Sequence, residues 1–186
     1  MLRCNPRGDW PQVQESAFID PTAILCGQVI VHENVFIGPY AVIRADEVNE
    51  RGEMEPIVIG AHSNIQDGVV IHSKAGGLVV IGEHTSIAHR SIIHGPCSIG
   101  SHVFIGFNSV VYNATVQDYA VVRHNCVIDS REIPPGVYVP SCWKVNHETD
   151  TSQLQPASDY AQDFSESVAR VNVDLVYGYR AIRNTF

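Results

Sequence analysis

Aliphatic residues recur along this chain every six positions, a period that belongs neither to an amphipathic helix nor to a simple alternating strand. Ile or Val stands at Val31, Ile37 and Ile43, then at Ile59, Ile65 and Ile71, then at Ile81, Ile87, Ile93, Ile99, Ile105 and Val111. Five of these are followed directly by glycine: Gly38, Gly60, Gly82, Gly100 and Gly106. Four residues after the aliphatic comes a second inner position, mostly small or β-branched, as at Ala41, Ser63, Val69, Thr85, Ser91, Cys97, Val103 and Ser109. A unit this short cannot bury its own apolar residue, so successive units must stack around a shared core.

Each six residues then make one short strand and a turn, and three such units complete a coil of eighteen residues about a triangular core. Coils stack at the ordinary strand spacing of about 4.8 Å. The predicted fold is mainly β, a parallel β-helix. Its beat is interrupted by a polar excursion from Asp46 to Pro56 and by four extra residues around Lys74-Ala75-Gly76-Gly77, both read as loops projecting from corners. After Val111 the phase slips by one, resumes at Val116, Val122 and Ile128, and ends at Ile133-Pro134-Pro135-Gly136.

Beyond Trp143 the pattern changes. Residues 1–143 are assigned to the β-helix with an N-terminal extension, 144–157 to a polar linker, and 158–186 to a helix of the same structural domain. In that helix Tyr160, Phe164, Val168, Val171, Leu175, Tyr179 and Ile182 recur every three or four residues, with Ser158 or Asp159 as N-cap. The stripe predicts packing against the outer wall of the β-helix.

At 186 residues the chain fits one domain with a core large enough to dispense with disulfides and structural metals. Its five cysteines show no paired metal spacing, and Cys97 and Cys126 fall on the small inner position, as buried thiols would. The net charge of −8 and pI near 5.5 argue against a nucleic-acid surface, which needs clustered Lys and Arg. Residues 1–20 lack the apolar stretch of a signal peptide and no run reaches membrane-spanning length, so a cytoplasmic location without membrane partners is the expectation.

Against this frame three histidines stand out. His72 and His94 each directly follow an inner aliphatic residue, and the 22 residues between them are one coil plus the four-residue loop. Their imidazoles are therefore expected to share one corner on adjacent coils, about one strand spacing apart, suited to chelating one ion. His89 sits on the preceding corner, roughly 16 Å of strand away, and cannot complete the same site within its own chain. A symmetric neighbour can supply it, which implies a closed cyclic oligomer. Gln66 and Asp67 follow Ile65 on the same column as His89, one coil below it, while Arg44 and Asp46 share the His72 column if the long excursion is a pure loop. Three neutral imidazoles leave a divalent ion one open position for water, whose pKa in zinc sites of that composition falls to about 7. The remaining histidines, His32, His62, His84, His102, His124 and His147, read as ordinary surface or satisfied residues.

From Asp20 to Gly178 the chain resembles the gamma-class carbonic anhydrases. The segments that carry this are Arg44-Ala45-Asp46-Glu47, Asn64-Ile65-Gln66-Asp67-Gly68-Val69-Val70-Ile71-His72, Ile87-Ala88-His89-Arg90-Ser91-Ile92-Ile93-His94-Gly95-Pro96, and Val171-Asn172-Val173-Asp174-Leu175. The resemblance implies a left-handed β-helix with a C-terminal helix, a homotrimer, and reversible hydration of CO2 to bicarbonate with Zn2+, or Fe2+ or Co2+, as the metal. It implies His72 and His94 as ligands from one subunit and His89 from its neighbour. Gln66 matches the side chain that orients the attacking oxygen, and Arg44 and Asp46 match the pair bridging subunits beside bicarbonate. Asn64, Asp67 and Glu47 match the surrounding polar network, and Asn172 matches the helix residue that closes the pocket. Two departures are visible: only sixteen residues separate His72 from His89, so the acidic proton-shuttle loop of some members is missing, and Arg170 stands where those members have Tyr. Two other functions fit the same repeat, a non-catalytic trimeric scaffold that binds bicarbonate or a partner protein, and a hexapeptide acyltransferase.

Overall fold

The computed structural model describes residues 1–183; positions 184–186, which the sequence reading places in the terminal helix, lie outside the described residues. Among the described residues the six-residue beat becomes three sheets of eight, seven and eight strands, the faces of a triangular left-handed β-helix. Every neighbouring pair is parallel except the last, Gln155–Pro156 against Val137–Val139. All twelve aliphatic residues of the beat are at most 1% exposed. Each such side chain contributes about 1.5–3 kcal/mol by leaving water, and stacked like on like they hold the coils in register. Glycines follow them where coils touch: a Cβ at Gly82 would lie 2.5 Å from the Gly100 carbonyl carbon, a contact no side chain tolerates.

Both interruptions are pure loops. Val42 pairs with Val70 on one side of the long excursion and Ile57 with Val79 on the other, so the ladder closes across it. Val79 likewise pairs with Cys97 across the shorter one. The beat also reaches further back than Val31, through Val13, Ile19 and Leu25. The N-terminal segment is accordingly a coil of its own, with Leu2 pairing Leu25, Val13 pairing Val31 and Ile19 pairing Ile37.

The segment read as a polar linker is part of the solenoid's cap. Leu154 is buried in the main core after the short 3-10 turn Thr151–Gln153, and Gln155–Pro156 adds an antiparallel edge. Val145, paired with Ile128 and fully buried, is the last residue of the beat, and Leu154 follows nine residues later at no multiple of the period. The helix α1, Asp159–Arg183, follows. Ser158 caps it: its hydroxyl and its carbonyl both accept from the Ala161 backbone N–H, at 3.3 and 2.9 Å.

α1 packs on one face as expected, but rotated from the predicted stripe. The side chains buried against the wall are Ala161, Ser165, Ala169, Asn172 and Val176. Phe164 and Val168 flank them and Tyr179 lays one ring face on Phe18, while Tyr160, Val171, Leu175 and Ile182, like the rest of Tyr179, remain exposed. The wall explains the rotation. Its outward column runs Phe18, Phe36, Asn64, Ser86, Phe104, Val121 and Tyr138, and rings this bulky leave room only for a small-residue helix face. Two apolar clusters result, Phe18, Phe36 and Val176 at one end and Ala88, Phe104, Val121 and Ala161 at the other. The polar pair Asn64 and Ser86 lies between them.

Candidate metal centre

The residues singled out from sequence fall into two groups on different parts of the prism. His72 and His94 stand on a strand face and not at the corner expected of them, because each follows its inner aliphatic residue within a four-residue strand; on this face, which α1 leaves bare, the strands Val42–Ala45, Val70–Ser73, Ile92–Gly95, Val110–Tyr112 and Val127–Asp129 run side by side. Their register places Arg44, His72, His94, Tyr112 and Asp129 in one outward column. The His72 and His94 rings have centroids 5.3 Å apart and planes at 74°. His94 Nδ1 lies 3.3 Å from the Gly95 carbonyl; donation there leaves the Nε2 lone pair directed outward.

Below this pair the excursion loop returns its carboxylates. Arg44 donates to Asp46 Oδ2 at 2.6 Å, and Asp46 Oδ1 lies 3.2 Å from His72 Nε2. Glu47 Oε1 is 3.5 Å from the same nitrogen, while its Oε2 accepts from the Ala75 N–H at 3.2 Å. Glu47 thus ties the two corner loops together over His72.

The second group lies along the next edge and under α1. Hydrogen bonds from the Arg90, Asn108 and Asn125 backbone to the carbonyls of Asp67, His89 and Phe107 build a corner column of Asp67, His89, Phe107 and His124. His89 Nδ1 is 3.6 Å from Asp67 Oδ2, and its ring lies 5.3 Å from Phe107, which stacks on His124 at 4.3 Å. Burial, and secondarily the Arg123 charge, hold His124 below the ordinary imidazole range. Gln66 departs from the corner column expected of it. It turns under the helix, 5% exposed, donating to Asn64 Oδ1 at 2.9 Å while Asn64 donates to Ser86 Oγ at 2.8 Å. Asn172 is buried on the same side and donates to the Val168 carbonyl.

A tetrahedral ion needs three or four such donors. Among the described residues no group of three or more His, Cys, Asp or Glu is arranged to hold a metal within the chain. The donor types fit such an ion: two imidazoles lie in register on adjacent strands, and the third stands on another edge of the molecule, out of their reach within one chain.

One cluster escaped the sequence reading. His62, His84 and His102 stack in parallel, with centroids 4.9 and 5.0 Å apart, and Tyr119 continues the stack at 4.7 Å. All four residues sit at corners with positive φ. His102 is 2.7 Å from Glu166 of α1. Burial first, then the neighbouring His62 and His102, push His84 below its ordinary value. The signal was available, since 22 and 18 residues separate the three histidines, the same coil arithmetic that pairs His72 with His94. Cys97 and Cys126 are buried as expected, and burial pushes both thiols up.

Comparison with known proteins bears on both groups. The family description "Bacterial transferase hexapeptide (six repeats)" matches residues 11–45 and 78–113. A carbonic anhydrase from Methanosarcina thermophila is 34% identical over 95% of this chain and 77% of its own length. The chain belongs to the gamma-class carbonic anhydrase family. A carboxysome assembly protein, CcmM, from a Nostoc species is 38% identical over 90% of this chain, which spans only 31% of that protein's length. Among solved structures, a hexapeptide transferase family protein from Anaplasma phagocytophilum superposes with a TM-score of 0.80 at 24% identity, covering 96% of this chain and 98% of that one. A Bacillus cereus protein described as an acetyltransferase gives 0.82 at 20% identity, over 98% of each chain. Both show the shared fold. No helix among the described residues is long and apolar enough to cross a membrane.

Proposed function

We propose that this gamma-class family member hydrates CO2 reversibly to bicarbonate at sites shared between the copies of a homotrimer. Each site takes His72 and His94 from one chain and the partner's His89. The observation that carries this reading is the register of His72 with His94 on a face from which His89 is absent. Two half-sites on different parts of one surface close only head to tail, and a triangular prism suits a threefold ring.

A divalent ion held by three imidazoles, Zn2+ with Fe2+ or Co2+ as alternatives, supplies a Lewis acid that acidifies water at neutral pH. The chain's own groups do the rest. Gln66 spends its N–H on Asn64, which leaves its carbonyl oxygen to accept a hydrogen bond from the attacking water and so to orient it. Arg44 commits one nitrogen to Asp46, and its remaining donors suit the oxygens of bicarbonate. Glu47, half exposed beside His72, passes protons between site and buffer. Asp67 of the partner subunit, one coil below His89, falls beside Arg44.

Mixed trimers test the reading. His72→Ala and His89→Ala homotrimers each lack a ligand at every site, and both should lose metal and CO2 hydration. Co-expressed, they place intact His72 and His94 beside intact His89 at one junction or more, so metal and turnover should partly return. Co-expressed His72→Ala and His94→Ala chains cannot recover, because those ligands share a chain. Verified mixed trimers that stay metal-free while the parent is active would sink the shared site. The likeness to an assembly protein favours one other reading, a scaffold, for which metal would bind without turnover in protein prepared with or without oxygen. Acetyl transfer from acetyl-CoA would instead identify an acyltransferase.

A further inference from the structure

The two columns continue past the residues assigned to the metal. Above His94 the bare face carries Tyr112 and then Asp129, in register on successive strands. Above His89 the corner carries Phe107 and then His124. Each column advances one coil per residue, about 4.8 Å, so a single rigid alignment fixes every level at once. If the partner's His89 falls between His72 and His94, the next level sets the partner's Phe107 between His94 and Tyr112. The level above sets the partner's His124 between Tyr112 and Asp129.

The chemistry matches at each level. Tyr112 is 43% and Phe107 38% exposed in the single chain, and aromatic rings this open gain by covering one another. The Tyr112 ring also leans on His94, with centroids 5.6 Å apart. An imidazole meets a carboxylate at the top. Beside the Tyr112 column, Val70, Ile92 and Val127 leave a further apolar ladder uncovered, and a second copy of the same face and edge is the occupant whose chemistry fits it.

We propose that the trimer is locked by metal-independent contacts above each site, Tyr112 against the partner's Phe107 and Asp129 against the partner's His124. This rests on the shared-site reading above. Its test is a disulfide. In a background with the exposed Cys4 and Cys142 changed to Ser, Phe107→Cys plus Tyr112→Cys should oxidise to covalent dimers and trimers, with and without chelator. Within one chain the two positions are roughly 16 Å of strand apart, too far to bridge. The mismatched pair Phe107→Cys plus Asp129→Cys, one coil further, should cross-link about tenfold less.

A trimer whose matched pair fails to cross-link, or cross-links no better than the mismatched one, overturns the lock and leaves the shared metal site to the mixed-trimer experiment. A chain that sediments as a monomer overturns both. If the cysteine pairs do not fold, Phe107→Ala and Tyr112→Ala, both surface substitutions in the single chain, serve instead. Each should raise the trimer dissociation constant of chelator-treated protein by about tenfold, and unchanged dissociation would overturn the proposal.

Discussion

Two histidine stacks rise through this solenoid by the same coil arithmetic, and they have opposite character. His72 and His94 lie on a flat strand, their ring planes crossed at 74°. They sit beside an arginine and carboxylates on a face that no helix covers. His62, His84 and His102 lie at a corner in positive-φ turns, their planes within 11° of parallel, closed by Tyr119 above and bound to Glu166 of α1. Crossed rings can converge their lone pairs on one ion; parallel rings direct theirs side by side. Spacing alone therefore states which residues meet. Whether they meet as ligands depends on which part of the coil carries them.

The largest expected effect separates the two stacks outright. His94→Ala should reduce metal affinity and CO2 hydration by at least about 100-fold, the upper range for losing even an outer partner of a ligand. His84→Asn, which keeps a residue suited to positive φ, should leave both unchanged. Metal content and stopped-flow hydration on the two variants check this, and equal losses would erase the distinction. Next in size is the frame beneath both stacks. Ile93→Ala, between inner residues stacked above and below it, should cost about 2–5 kcal/mol, read as a lowered denaturant midpoint.

Asn64→Ala sharpens the contrast inside the second half-site. It leaves the Gln66 N–H and Ser86 hydroxyl without their partner, at a cost of about 1–3 kcal/mol. Turnover should fall while bound metal is retained, because Gln66 loses its orientation and no ligand is touched. Metal loss in parallel with activity would place Asn64 closer to the ion than this account allows. Glu47→Gln should act more mildly. Hydration should slow most at low buffer concentration and recover as buffer rises, since Glu47 is the carboxylate nearest His72 that also reaches solvent.

The beat, the loops and the pairing of His72 with His94 are legible because a period of six returns the same two inner positions in every unit. Every deletion or insertion then appears as a phase error. The cap around Leu154 is not legible, because Leu154 lies nine residues after Val145, off the six-residue period. The rotation of α1 was hidden for a different reason: its burial is decided by Phe18, Phe36 and Phe104 on the wall, and helix periodicity contains no information about what it meets. Gln66 lies on the expected coil but outside the His89 column, because it follows its inner isoleucine by one residue, as Ala88 does, whereas His89 and Asp67 follow theirs by two. The corner stack is legible only when His62, His84 and His102 are taken together, because taken singly each is an ordinary surface histidine, and the coil arithmetic of His72 and His94 applies to them unchanged.

The smallest predicted effect asks whether the corner stack answers to pH at all. Burial and two neighbouring rings keep His84 below its ordinary value, so the unfolded chain takes up a proton there more readily than the folded one. The stability this neutral ring allows is present above the unfolded value, near 6.5, and is lost as pH falls through the lower folded value. The ring is partly exposed, so solvent screening keeps the effect small. In His84→Asn the protonation is gone while the corner geometry is kept, and the drop in melting temperature between pH 7.5 and 5.5 should shrink relative to the parent. His102→Asn separates this from the anchoring of the helix, because it removes both a repelling neighbour of His84 and the contact with Glu166. If it leaves the pH slope intact while loosening α1, the stack is a clamp; if the slope flattens toward that of His84→Asn, the His102 ring helps to hold His84 neutral.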